Sequence, residues 1–222
     1  MMLLLDLPHE LILEIWGALE TTKEMNALVR TCHHCYDSLN PLLYLYVTKH
    51  QSRYNPFEWT AHQGPVETLH KLLGTGINAS RWQGLSPLDP AARYGRADLL
   101  KVLIQYGFDP NTCDNLIQTP LHHTAIHGHW ECATVLLDAG AGPNSKDAED
   151  FTASSWAIYR GHTNVLALLL DRGASMDVKL HLNDTPLGLA ARSGFDELVT
   201  FLLERNAEAD GEIDGMPGTP LL

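Results

Sequence analysis

Residues 119–129 read TPLHHTAIHGH, and the spacing of their hydroxyl residue, proline, leucine and glycine recurs along the chain. A hydroxyl residue followed by proline and leucine stands at residues 86–88, 119–121 and 185–187, so that the starts are separated by a period of 33 or twice that period. The start that the period places between residues 119 and 185 is occupied by residues 152–154, Thr-Ala-Ser. At the ninth position after each start comes a glycine: Gly95, Gly128, Gly161 and Gly194. A fixed period of this length indicates stacked structural repeats.

Each repeat is predicted to be a pair of short helices. A Thr or Ser before proline is typical of a helix N-terminus, because the hydroxyl caps free backbone N–H groups and proline fits the first turn. Leu99, Val102 and Leu103 follow at helical spacing. Another glycine (Gly107, Gly140 or Gly173) then suits the left-handed end of the second helix.

The period of 33, with Thr-Pro-Leu-His-x-x-Ala at 119–125 and Gly-His at 128–129, resembles the ankyrin repeat. The resemblance implies an all-α helical solenoid over residues 49–222. Its copies are expected at about 54–84, 85–117, 118–150, 151–183 and 184–217, with a truncated sixth from residue 218. We interpret this last stub as the start of a longer array, because it stops before its helices.

Two departures from the family pattern lead to expectations. The motif's histidine stands only at His122, and other residues replace it elsewhere: Glu58, Asp89, Ser155 and Gly188. In the loop before each Thr the family usually has a glycine with positive φ. Ile117 stands there instead, and a branched side chain resists that conformation, so we expect this loop to be distorted. Asp150 and Asn183 at the equivalent places are more tolerable.

Residues 1–48 do not share the repeat and are predicted to form a small helical module. Residues 5–15, LDLPHELILEI, followed by LVRTC at 28–32, resemble an F-box. A short F-box followed by ankyrin repeats is similar to a group of fungal proteins. The resemblance implies docking on the linker subunit of a cullin-type (SCF-like) ubiquitin ligase through Leu7, Pro8, Glu10, Leu11, Ile15 and Leu28. The open alternative is that these helices only cap the solenoid.

Composition narrows the class of partner. The chain has 222 residues and a formal net charge of −12, which repels nucleic acid and anionic lipid. No apolar run approaches the roughly 20 residues that span a bilayer, and no secretory signal is recognised. With four cysteines and no such signal, we expect reduced thiols and a cytoplasmic or nuclear location.

No catalytic signature, cofactor site or metal site is predicted. Residues 32–35, CHHC, have no second ligand pair at zinc-finger spacing. His123 and His127 would share a helical face, but the glutamate of a metalloprotease helix is missing. Asp147, Glu149 and Asp150 are interpreted as a solvated acidic loop tip. His122 and His129 are expected to bond backbone or neighbouring loops, as the repeat motif implies.

The remaining candidate is the concave surface of the solenoid. In the ankyrin family the two residues before the ninth-position glycine commonly face this groove. By register these are His62, Gln63, Arg93, Tyr94, Ile126, His127, Tyr159, Arg160, Arg192 and Ser193. Arg and Tyr are enriched at binding hot spots, so the sequence predicts a protein-binding groove suited to an acidic segment. Together with this groove, the F-box resemblance implies an adaptor that holds a target protein to be ubiquitinated. The alternatives are a scaffold without a ligase and, formally, a histidine-bound metal enzyme.

Overall fold

The computed structural model describes residues 56–64, 66–74, 86–176, 178, 180 and 184–205. The chain divides into two compact units, residues 1–78 and 79–222, which are described separately. In the first unit, α1 (Pro56–Gln63) packs against α2 (Val66–Gly74). In the second, four helix pairs follow: α3 (Leu88–Arg93) and α4 (Ala97–Gln105), α5 (Pro120–His127) and α6 (Trp130–Asp138), α7 (Ala153–Arg160) and α8 (Thr163–Asp171), α9 (Pro186–Ser193) and α10 (Asp196–Glu204).

The predicted helix boundaries are confirmed by their caps. Thr119, Thr152 and Thr185 are extended N-cap residues of α5, α7 and α9. In α7 the Oγ1 atom of Thr152 accepts a hydrogen bond from the backbone N–H of Ser155 at 3.2 Å. Gly128 is the left-handed C-cap of α5, with a φ of 78°. At α5, α7 and α9 the recurring hydroxyl residue and glycine therefore mark where the first helix of the pair begins and ends, whereas α3 has Pro87 as its N-cap and Tyr94 as its C-cap.

The second unit is built of two layers of helices. The first helices of the pairs, α3, α5, α7 and α9, contact one another in sequence order, and so do the second helices, α4, α6, α8 and α10. The core between the layers is apolar and includes Leu88, Leu99, Leu103, Leu121, Leu136, Ile158, Leu166, Leu169, Leu198 and Leu202. Each helix buries only one face, so neighbouring repeats complete each other's core. Every element of the described residues is a helix, which confirms the all-α prediction.

The loop containing Ile117 is not distorted, contrary to the sequence-based expectation. Ile117 adopts a φ of 58°, close to the 66° of Asp150 one repeat later. Both turns close with matching bonds, from Ile117 N to Asp114 O and from Asp150 N to Asp147 O, each 3.0 Å. The Oδ1 atom of Asp114 also accepts from Gln118 N at 2.9 Å. These bonds hold the branched residue in a conformation that it disfavours by itself.

Several sequence-based predictions lie outside the described residues. They include the whole predicted F-box-like module, with Leu7, Pro8, Glu10, Leu11, Ile15 and Leu28, the CHHC stretch at 32–35, and the stub from residue 218. Among the residues that are described, no helix combines the length and apolar character that crossing a membrane requires.

Candidate protein-interaction surface

The predicted groove residues of the second unit lie at the C-terminal ends of the first helices of the pairs, which we call the inner helices; the second helices, α4, α6, α8 and α10, are called the outer helices. Arg93 is the last residue of α3, His127 of α5 and Arg160 of α7, while Arg192 is in the last turn of α9. All four side chains are exposed. Because these helices pack side by side in order, their ends present the four residues along one edge. We call Arg93, His127, Arg160 and Arg192 the basic row.

Aromatic and apolar side chains accompany the basic row. Tyr94 and Tyr159 are 40% and 41% exposed, and Ile126 is half-buried. The guanidinium carbon of Arg160 lies 6.0 Å from the ring centroid of Tyr159. Trp156 meets Tyr159 edge-on, with 6.1 Å between ring centroids. An exposed tyrosine fixed by a neighbouring indole offers a large contact area at little entropic cost.

The next repeat supports the backbone beneath the row. The Nε2 atom of His129 donates to the carbonyl oxygen of Arg93 at 3.1 Å. His162 repeats this contact one unit later, with Nε2 3.3 Å from the carbonyl oxygen of Ile126. These bonds satisfy carbonyls at helix ends, which lack partners within the helix. The groove residues therefore stand on helix ends that are fixed by the following repeat.

The charges of the row act on one another. Burial lowers the pKa of His127, and the charges of His129, Arg93 and Arg160 lower it further. His127 is therefore neutral near pH 7, and the positive charge of the row comes from its arginines. Arg192 differs from the other two because its guanidinium pairs with the carboxylate of Asp184, including a bond of 2.9 Å from Nη1 to Oδ1. Arg93 and Arg160 are thus the main positive charges for a partner.

The register also predicted His62, Gln63 and Ser193 as groove residues. His62 is exposed in the last turn of α1, which belongs to the first unit, and Ser193 is exposed at the end of α9. Gln63 ends α1, but its side chain lies outside the described set.

Two histidines behave as the motif implied. The Nδ1 atom of His122 accepts a hydrogen bond from the backbone N–H of Thr119 at 3.0 Å, and Nε2 donates to the carbonyl oxygen of Phe151 at 3.1 Å. His129 bonds backbone as described above. His123 and His127, however, do not act together: His123 is buried, whereas His127 is exposed and stacks on His129 with 6.0 Å between centroids.

The acidic loop tip also differs from its interpretation as fully solvated. Glu149 and Asp150 are exposed, but Asp147 is buried. Its Oδ2 atom accepts from Trp156 Nε1 at 2.9 Å and from Gln118 Nε2 at 3.2 Å. Burial tends to raise the pKa of Asp147, but these bonds and two backbone N–H groups outweigh it and hold the pKa below the usual value. Asp147 therefore organises the loop as a structural carboxylate.

Sequence reasoning missed one cluster entirely. Asp89, Asp114 and His123 come from two repeats, and their potential ligand atoms lie within 4.8 Å of one another. A comparison of successive repeats could have revealed this cluster. Asp114 stands one period of 33 residues before Asp147, and His123 stands one period before Trp156, so a histidine replaces the tryptophan opposite the aspartate.

Comparison with known proteins identifies the repeats. Three overlapping matches to the family model for ankyrin repeats cover residues 57–147, 88–180 and 140–213. The chain belongs to the ankyrin-repeat family. An ankyrin repeat-containing protein of Schizosaccharomyces pombe (strain 972) is 40% identical over 63 residues, which is 28% of this chain and 30% of that protein. The match thus spans less than a third of its relative. Ankyrin repeats are protein–protein interaction modules, generally without enzymatic activity, and the F-box resemblance remains a prediction.

Proposed function

We propose that this protein is an adaptor that holds an acidic segment of a partner protein against its basic row. The observation that carries the proposal is that Arg93 with Tyr94 and Arg160 with Tyr159 are exposed at the ends of α3 and α7, the two helices that pack on either side of α5. A chain with a net charge of −12 repels acidic segments over most of its surface, so a basic edge gives orientation as well as attraction.

Matched arginines elsewhere on the molecule allow a sharp test. Arg172 and Arg205 are exposed and follow the outer helices, where they pair with Asp138 and Asp171 at 2.6 and 3.1 Å. They have the same charge as the row but lie away from it. Reversing either pair of arginines changes the net charge of the chain by the same amount.

The experiment selects binders from a displayed library of short random peptides and measures their affinity by fluorescence polarisation. We expect enriched peptides to be rich in Asp and Glu. The Arg93→Glu/Arg160→Glu variant should weaken their binding at least about tenfold, corresponding to the loss of interfacial charge pairs. Arg172→Glu/Arg205→Glu should change it by less than about threefold. Equal losses in the two variants would indicate a general charge effect and reject the basic row.

The finer proposal is that the target is presented to a cullin-type ubiquitin ligase. It is supported by the F-box resemblance of residues 5–15 and 28–32. Catalysis then belongs to the partners, and the adaptor acts by tethering, which raises the local concentration of the target to about the millimolar range. The alternative is a scaffold in which the N-terminal helices only cap the solenoid.

Co-expression with the ligase linker subunit separates these two roles. We expect the wild-type chain to co-elute with that subunit on size exclusion, and the Pro8→Ala/Leu11→Asp variant to elute alone while its helical circular dichroism is retained. A folded wild-type chain that never co-elutes, together with a double variant of lowered thermal stability, would favour the capping role and end the ligase proposal.

A further inference from the structure

Asp89, Asp114 and His123 meet at the boundary between two repeats of the second unit. Asp89 is in the first turn of α3, His123 is in α5, and Asp114 is in the loop between α4 and α5. Asp89 and His123 are 3% and 5% exposed, and Asp114 is half-buried. One carboxylate oxygen from each aspartate and one imidazole nitrogen lie within 4.8 Å of one another.

Asp114 is fixed with one oxygen facing this cluster. Its Oδ1 atom accepts hydrogen bonds from Leu116 N at 2.8 Å and Gln118 N at 2.9 Å. Its Oδ2 atom lies 3.3 Å from Nε2 of His123. This nitrogen is buried and makes no hydrogen bond of ordinary geometry with the described residues. The loop thus orients a carboxylate toward a nitrogen without completing a hydrogen bond to it.

The next repeat boundary shows how hydrogen-bond donors can satisfy a carboxylate at the position of Asp114. One repeat later the equivalent residues are Asp147, His122 and Trp156. There the Oδ2 atom of Asp147 accepts N–H bonds from Trp156 and Gln118. In the sequence of the earlier repeat, the position of Gln118 is occupied by Leu85, a residue type without a side-chain donor. The position of His122 is occupied by a second carboxylate residue, Asp89. A donor-rich position has therefore become a set of metal-ligating groups.

The chemistry of these groups favours a particular class of cation. A zinc ion bonds imidazole nitrogen and carboxylate oxygen at about 2.0–2.2 Å, which in tetrahedral geometry separates neighbouring ligands by about 3.3 Å. The distance between Asp114 and His123 fits that separation. Two carboxylates and one imidazole suit zinc or another first-row divalent ion better than calcium, which takes six to eight oxygen ligands. Burial, followed by the charge of Arg93, also lowers the pKa of His123 to about 4, leaving the imidazole neutral.

We infer that Asp89, Asp114 and His123 form a binding site for one first-row divalent cation, such as zinc, that ties two ankyrin repeats together. Three ligands come from the protein, and water completes the coordination on the side where Asp114 is accessible. The three protein ligands come from both sides of a repeat boundary and are brought together only in the folded solenoid. The ion therefore binds the folded state in preference to the unfolded chain, and its binding stabilises the folded state.

The experiment uses the full chain with Cys32→Ser and Cys35→Ser, which removes the thiols of the CHHC stretch. Zinc is titrated by calorimetry, and cobalt is used as a spectroscopic substitute. We expect about one zinc per chain, cobalt bands without thiolate charge transfer, and a rise in melting temperature of about 5–10 °C at a zinc concentration of about 100 times Kd. Magnesium and calcium should not reproduce this rise.

The repeat register supplies variants that are compatible with the fold. His123→Trp introduces the residue that the next repeat uses, and Asp89→Ser introduces the residue at the equivalent position two repeats later. Each should retain the helical signal and weaken zinc binding by about 100-fold or more. His127→Ala removes the exposed histidine one turn further along α5 and should leave the affinity within about threefold.

Zinc binding that survives both His123→Trp and Asp89→Ser, or that disappears with His127→Ala, would overturn the assignment. So would a wild-type melting temperature that zinc leaves unchanged, because the carboxylates would then be balanced by protons or by neighbouring charges.

Discussion

Replacing Gly128 with alanine should destabilise the protein more than the same change at Gly194. Both glycines are C-caps of inner helices, with φ of 78° and 73°. They differ in what lies next to them. A Cβ atom on Gly128 would lie 2.7 Å from Cε1 and Nδ1 of His162, whereas at Gly194 no atom of the described residues lies within 4 Å. The comparison therefore isolates the contact between neighbouring repeats from backbone strain.

The magnitude follows from two contributions. A left-handed conformation costs alanine about 1–2 kcal/mol, and this applies to both variants. At Gly128 the His162 ring must also move by several tenths of an ångström. Its bond to Ile126 O is already 3.3 Å long and would be lost, at about 1 kcal/mol, together with some packing. We expect Gly128→Ala to cost about 2–4 kcal/mol and Gly194→Ala about 1–2 kcal/mol.

Urea unfolding followed by circular dichroism measures both costs, provided that the slopes are unchanged. A double-mutant cycle adds a second test: in a His162→Ala background the cost of Gly128→Ala should fall to that of Gly194→Ala. Agreement of the two glycine variants to within about 0.5 kcal/mol in the wild-type background, the usual scatter of such comparisons, would show that ring packing over the glycine does not contribute as argued. A cost that stays the same when His162 is removed would show this too.

Three further predictions follow from single side chains. Ile117→Gly should raise the free energy of unfolding by about 1 kcal/mol, measured by urea denaturation, because it removes a branched side chain from a φ of 58°. Asp147→Asn should cost about 2–4 kcal/mol near neutral pH, because its carboxylate accepts four hydrogen bonds, including that from Trp156. Since the folded state lowers the pKa of Asp147, the stabilisation by its ionised carboxylate is present above pH 3.8 and is lost as the pH falls through the lowered folded-state pKa, so the difference between the urea midpoints of variant and wild type should shrink below pH 3.8. Burial raises the pKa of Cys132 to about 12, so at pH 8 iodoacetamide should modify exposed Cys113 much faster than buried Cys132, as peptide mass spectrometry can show.

Much of the fold could be predicted because repetition multiplies a weak local signal. Thr152 lacks the proline that follows Thr119 and Thr185, yet its position in the period was sufficient to predict the start of α7, and the structure confirms it. The apolar positions Leu99 and Leu103 are likewise buried as their helical spacing indicates.

The errors concern residues whose conformation is decided by the neighbouring repeat. Ile117 disfavours a positive φ by itself, but bonds to Asp114 and the bond from Ala148 N to Leu116 O secure the loop. Asp147 looked solvated because acidic neighbours surround it in the sequence. Its partner Trp156 comes from the following repeat, and its partner Gln118 stands 29 residues away at the start of the same repeat. The conformational propensity of a short stretch of sequence gives no information about partners that lie so far away along the chain.

The same reasoning explains why the candidate sites differ in how the sequence shows them. The members of the basic row occupy two adjacent register positions, so a period of 33 brings them together as soon as the fold is recognised. The Asp89–Asp114–His123 cluster depends on several register positions at once, and two of its three members differ from their counterparts in the next repeat. Asp114 alone at its position is unremarkable, since Asp147 shows that a carboxylate there can be fully satisfied by N–H donors. Only the replacement of those donors by an imidazole and a second carboxylate changes the chemistry. Comparing each repeat with the next, position by position, is therefore the way to separate a binding site from the structural polar residues of a solenoid.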